Sequence, residues 1–354
     1  MKKLNWLEIS VLYIGSIMGA GFASGRECWQ FFGVFGNKGY LGALIVTLGF
    51  VTFGLMMTYI ARSKNTSDIG KLISPFNNKT FDNIFGIILA AFYLSDVIVM
   101  TAAGGSLLNQ QFGLNKAVGG IIITILITVT VLGNFERISG IFSYLIPLLF
   151  GVVVIMIILV LCADVRNTSN TYYKPGTLSP NWFISSIVFL SYNTLAFPAM
   201  SGKSAVTSKN AKNAYIGAFI GCVFLGLLII TQLRALLLDV DYTAAFDLPL
   251  LGYSLRFPKY VNVIYTLTLF GFIYSTGSSL YYGFTTKLPD RKSSRRIIIA
   301  CPVICFVLGL VGFTKLVEYL YPMQGYIGLI YLLCIIVNFL FEFKKNHSKC
   351  KKIQ

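Results

Sequence analysis

Asp96, Arg26, Glu27, Arg234 and Glu318 stand within or beside long apolar runs. Ionisable groups in such runs are costly, so each asks for a functional reading. Asp96 is the clearest. It lies in Tyr93-Leu94-Ser95-Asp96, with no Lys or Arg near it in sequence. Such a carboxylate can meet a substrate amine, bind an ion or carry a proton; the plainer reading is a buried aspartate satisfied by hydroxyls or held protonated. A second cluster is Ser275-Thr276-Gly277-Ser278-Ser279. Ser275 and Ser279 fall one helical turn apart, on one face, with Thr276 beside them. Oxygen-only ligands suit a hard cation, although hydroxyls at these spacings also serve as hydrogen bonds between helices. Phe22, Tyr93, Tyr192 and Phe197 are aromatics near these positions, suited to lining an apolar pocket. Arg234 is read as snorkelling outward.

Other chemistry lacks actors. The single histidine, His347, lies in a basic tail, and none of the seven cysteines forms a CxxC pair. A zinc site, a disulfide framework and histidine-based catalysis are therefore not expected. No paired-carboxylate motif or nucleophile elbow points to an enzyme.

The elements that position these residues follow from composition. Hydrophobic residues make up 56 % of the 354 residues and charged residues only 12 %, with a mean hydropathy of +0.74. Soluble domains carry about 25 % charged residues, so lipid must replace the missing polar surface. At ~20 apolar residues per crossing, ten spans can be read, at 6–33, 39–61, 81–108, 115–134, 138–163, 181–202, 211–237, 258–286, 296–313 and 316–342. The chain reads as one transmembrane domain, with a basic tail at 343–354.

The net charge of +16 is distributed as topology, not as a nucleic-acid face. With the N-terminus in the cytoplasm, 20 of the 29 Lys and Arg residues fall inside, seven outside, and Arg26 and Arg234 within spans. The positive-inside rule thus favours a multi-pass cell-membrane protein with both termini cytoplasmic. The lysine-rich tail also suits anionic lipid. Met1-Lys2-Lys3 with an apolar stretch to Gly21-Phe22-Ala23 resembles a cleaved leader, but Glu8 inside the stretch argues against it.

Spans 1–5 and 6–10 form halves at about 5–163 and 180–342. Five is odd, so the second half enters from the opposite side, an inverted repeat. Such repeats place their sites at discontinuous helices near the midplane. The first span of each half is poorly built for a continuous helix. Gly15-Ser16-Ile17-Met18-Gly19-Ala20-Gly21-Phe22-Ala23-Ser24-Gly25 holds four glycines and two serines, and Ser191-Tyr192-Asn193-Thr194-Leu195-Ala196-Phe197-Pro198 contains a proline. Gly15 and Gly19 also form a GxxxG, which serves close helix packing. Unwinding would free amides that suit a carboxylate and carbonyls that suit an ammonium group or metal cation. A zwitterionic amino acid matches both, and Gly19, Ala20, Gly21, Phe22, Tyr93, Asp96, Tyr192, Asn193 and Phe197 are its candidate contacts.

The segment Gly15-Ser16-Ile17-Met18-Gly19-Ala20-Gly21 resembles the first-helix signature of amino acid–polyamine–organocation transporters. Its extension Gly19-Ala20-Gly21-Phe22-Ala23-Ser24-Gly25-Arg26-Glu27 is most similar to the YkvI-type membrane proteins. The resemblance implies an all-α, 5+5 LeuT-type fold with helices 1 and 6 discontinuous, and a secondary transporter of a small solute. The span 8 hydroxyls resemble those of sodium-coupled members. This implies a sodium ion at Ser275, Thr276 and Ser279 with the carbonyls of Gly15 and Met18, against a proton on Asp96 as the rival driving ion. No other cofactor is implied. In that fold an arginine past the break and an acid on helix ten form an outer gate, here Arg26 and Glu318, although a local Arg26–Glu27 contact competes. The loop 238–257, with Asp239, Asp241, Asp247 and Pro249, is either a lid on the outer vestibule or a solvated loop. A sensory subunit that binds solute without moving it is the second reading of the fold.

Overall fold

The computed structural model describes residues 3–66, 69–74, 79–133, 135–163, 173–286, 288 and 294–351. Of the topogenic charges counted above, Lys2, Arg166, Lys287, Arg291, Lys292 and Lys352 lie outside these residues. The described chain is helical. Its one piece of strand-like pairing is a bridge from Leu4 to Ser208.

The first apolar segment is divided. α1 (Trp6–Ile17), α2 (Ala20–Ala23) and α3 (Arg26–Phe31) follow one another with two interruptions. Asn5 caps α1 in a capping box with Glu8, so the acid that argued against a leader starts this helix. At the first interruption Gly19 is extended; at the second Gly25 has φ +82°, a left-handed conformation that favours glycine. α4 (Lys38–Lys64), α5 (Ile69–Ile73), α6 (Lys79–Phe112), α7 (Lys116–Leu132) and α8 (Phe135–Cys162) complete the first half.

The second half opens on another divided segment, α9 (Trp182–Thr194) and α10 (Phe197–Thr207). Asn181 caps α9, and Pro198 sits in the first turn of α10. The proline's missing amide costs nothing there, while its ring opposes continuation of the preceding turn. Then come α11 (Ala211–Leu236), the short α12 (Val240–Ala245) and α13 (Pro249–Ser254), α14 (Lys259–Thr285), α15 (Arg295–Gly309) and α16 (Phe313–Lys351). The last helix continues through much of the segment read as a tail.

Among the described residues, six helices are long and apolar enough to cross a membrane: α4, α6, α8, α11, α14 and α16. α1 and α7 are shorter apolar helices. Small residues let the long helices approach. A Cβ on Gly119 would strike the Gly104 carbonyl, and one on Gly226 would strike Thr47. Gly15 and Gly19 behave differently. A Cβ there would meet only Ile146 at 3.7 Å and Thr276 at 3.8 Å, ordinary contacts. Their GxxxG spacing is not used for close helix approach.

Candidate functional site

The gap at Met18–Gly19 divides span 1, and the sequence around it explains its shape. Met18 ends α1 by donating its amide to the Ile14 carbonyl, and Gly19 donates to Ile17. Among the described residues no hydrogen bond reaches the carbonyls of Gly15 or Met18. α2, only four residues long, is instead held from three sides. Gln232 on α11 donates to the Phe22 carbonyl at 2.9 Å, Tyr265 on α14 to the Ala23 carbonyl at 2.6 Å, and the Leu250 amide of α13 to the Ser24 carbonyl at 2.9 Å.

Glu27 on α3 turns back toward this gap. A Cβ on Gly21 would collide with its carboxylate. Its side chain is buried, and Oε2 has no hydrogen-bond partner. Asp96 on α6 is its charged neighbour. Gln324 on α16 donates to Asp96 Oδ1 at 2.7 Å and also to Ser95. Tyr192 on α9 stacks on Tyr321 of α16, with ring centroids 4.5 Å apart and planes at 19°. Both tyrosines have Glu27 and Asp96 as charged neighbours. Thr276 on α14 faces Gly19. Five elements thus converge at the break.

The structure therefore brings together Gly19, Gly21, Phe22, Asp96, Tyr192 and Thr276. Ala20 is buried beside them in α2. Tyr93 is half-buried and its ring lies against Gly283 of α14, with Asp96 as charged neighbour. Other residues are placed differently from expectation. Phe197 packs edge-on against Tyr13 at 5.4 Å and beside Phe50 at 5.7 Å, so it belongs to the aromatic core between α1, α4 and α10. Asn193 spends its amide on the Phe189 carbonyl one turn back, at 3.0 Å. Ser275 is buried and donates to Phe272, whereas Ser279 is exposed and does not join a closed oxygen shell. Ser278 is the buried hydroxyl without a partner. Helical spacing puts Ser275 and Ser279 on one face, but the depth of burial changes along it.

The outer-gate pair is also apart. Among the described residues no ion pair joins Arg26 to Glu318 or to Glu27. Arg26 is buried with Nε unpartnered, and it lines a cavity of about 240 Å³ with Glu318, Asp247, Gln30, Trp29 and Thr314. Asp247 and Glu318 are its charged neighbours.

The loop 238–257 is a lid. Asp239 caps α12 and pairs with Arg256 at 2.7 Å, and Arg256 lies 3.5 Å over the Tyr242 ring. Asp247 accepts bonds from Ser106 of α6, Thr314 of α16 and Lys116 of α7. Burial raises its carboxyl, but those donors outweigh this and hold it below its ordinary value. Leu250 of α13 covers Gly25. Beneath the lid every residue from 20 to 33 is buried, while Gly19, Asp96, Tyr192 and Thr276 keep partial exposure.

Glu27, Gln324 and Tyr321 were not among the expected site residues. The available signal was their type: a carboxylate and an amide inside apolar runs.

Two solved membrane transporters share this architecture. A manganese transporter from Eremococcus coleocola superposes with a TM-score of 0.54 at 13 % identity, over 95 % of this chain and 85 % of that one. Mhp1, a nucleobase-cation-symport-1 family transporter in a closed conformation with bromovinylhydantoin bound, gives 0.50 at 14 % identity, over 94 % and 76 %. These likenesses establish a LeuT-type fold. In sequence, the chain is 24 % identical over 330 residues to the uncharacterised membrane protein YkvI of Bacillus subtilis (strain 168), covering 92 % of this chain and 93 % of the relative. It is 25 % identical over 344 residues to YyaD of the same organism, covering 94 % and 96 %. No family model matches. The chain is thus similar over nearly its whole length to the membrane protein YkvI and to YyaD.

Proposed function

We propose that this protein is a secondary transporter that moves a small amine-bearing solute through the span 1 break by alternating access. The observation that carries this reading is the convergence of a divided α1–α2, a divided α9–α10, Asp96 and Thr276 at one place, covered on one side by the loop 238–257. Discontinuous helices meeting at one place are where such transporters hold solute and ions during alternating access. In this reading the chain is a single domain of ten spans in a 5+5 inverted repeat, with both termini cytoplasmic and the lid outside. The two divided helices are the first spans of the two halves, which supports it.

Sodium is the proposed driving ion, held by Thr276, Ser275 and the carbonyls of Gly15 and Met18. Those two carbonyls lack hydrogen-bond donors, and Thr276 lies across from Gly19. Ion binding there would order the broken span and favour the solute-competent state. The test is solute flux in reconstituted vesicles. Replacing sodium by choline at constant pH should lower solute affinity, and Thr276→Ala should abolish that dependence. Accumulation driven by a pH gradient alone, lost in Asp96→Asn, would refute sodium in favour of the proton. Binding without flux would refute transport in favour of a sensor.

A further inference from the structure

The amide end of the span 1 break is already occupied. α2 has four residues, too few for a substantial helix dipole, and the Glu27 carboxylate lies against Gly21. A substrate carboxylate placed there would lie against a carboxylate of the protein.

The site holds two carboxyl groups with no cation beside them among the described residues. Glu27 is 2 % exposed, and its Oε2 is without a partner. The neighbouring Arg26 lines the outer cavity instead. Asp96 meets the neutral amide of Gln324. Among the described residues, no Lys, Arg or His lies within ion-pair distance of either carboxylate. A buried carboxylate without a counter-ion is costly inside a membrane. Stacked tyrosines beside the pair add π faces and hydroxyl oxygens, both of which attract an ammonium group. Among the described residues, three His, Cys, Asp or Glu side chains nowhere gather to hold a metal ion. The donor set suits an organic cation better than a divalent ion.

We infer that the cargo is an organic cation whose ammonium group sits between Glu27 and Asp96, and that the site rejects the corresponding zwitterionic amino acid. This inference rests on the transporter reading for the word cargo, but its test does not require transport.

The test uses purified full-length protein and matched pairs of ligands that differ by one carboxylate: phenethylamine and phenylalanine, 3-methylbutylamine and leucine, putrescine and ornithine. Thermal unfolding is measured with each. At least one amine should raise the midpoint by about 3 °C or more at a hundredfold excess over its Kd, and its amino acid should not. Glu27→Gln and Asp96→Asn should each weaken that amine by about tenfold or more. Should Glu27→Gln fail to fold, Gly21→Ala displaces the same carboxylate and should weaken the amine likewise. An amino acid that stabilises as well as its amine would overturn the inference. So would a series in which no amine binds, as expected if both carboxylates serve only as proton carriers, or full amine affinity in the variants. Vesicle flux separates the two claims. An amine that binds but is not moved refutes transport alone, whereas amino-acid uptake without amine binding refutes this inference alone.

Discussion

Asp247 holds three helices to the lid, so its charge should set how often the lid opens. In Asp247→Asn the shape is kept and the charge lost. The Lys116 pair is half-exposed, at 49 % for the lysine and 24 % for the aspartate, so its loss costs only about 0.2–1 kcal/mol. Thr314 at 2.7 Å and Ser106 at 2.8 Å donate to a charged acceptor. Exchanging that acceptor for a neutral amide, which must turn an N–H toward one of them, costs on the order of 1–2 kcal/mol. A total of about 2 kcal/mol shifts the closed-to-open ratio roughly 30-fold. The assay is maleimide labelling of Gln30→Cys, which lines the cavity behind the lid, in nanodiscs and in a background lacking the exposed Cys162. Labelling should accelerate roughly 30-fold in Asp247→Asn. In the parent protein the carboxyl is held below its ordinary 3.8 while the lid is closed, and it returns toward that value when the donors leave. The latch is therefore at full strength above the ordinary value and is lost as pH falls through the lowered one. Once divided by the thiolate fraction of the probe cysteine, which itself falls with pH, the labelling rate of the parent should be flat from about pH 8 to about pH 5. Equal labelling rates in Asp247→Asn and the parent would refute the latch.

Two further outcomes test the break and its outer end. Gly25→Ala should destabilise by about 1–2 kcal/mol, because φ is +82° and Leu250 and Leu236 leave only 3.2–3.3 Å for a Cβ, whereas Gly15→Ala should unfold at nearly the parent temperature. Arg26 and Glu318 share a cavity without a direct ion pair, so charge reversal at both should restore transport only if the pair forms in another state of the cycle. Additive losses in the double-mutant cycle would leave the two residues independent.

Much of the architecture was legible in the sequence because it depends on local chemistry. Apolar run lengths marked the helices, since backbone in lipid must satisfy itself within each segment. Glycines at 19 and 25 and the proline at 198 marked the interruptions, since these residues change what the backbone can adopt wherever they fall. Asp96 declared itself by charge alone. What tertiary structure decided was which groups meet. Phe197 and Tyr192 are five residues apart and both aromatic, yet one fills the core against Tyr13 while the other stacks on Tyr321 near two carboxylates. The backbone between them is interrupted, so helical periodicity does not carry across. Ser275 and Ser279 share a helix face, but burial along α14 depends on the helices packed beside it. Glu27 is the sharpest case. Sequence placed it beside Arg26 and suggested a local pair. The left-handed turn at Gly25 redirects α3, and Glu27 reaches back against Gly21 while Arg26 lines the cavity with Asp247 and Glu318. Neighbours in sequence share a backbone but not a direction, and only the folded chain shows which groups each of them meets.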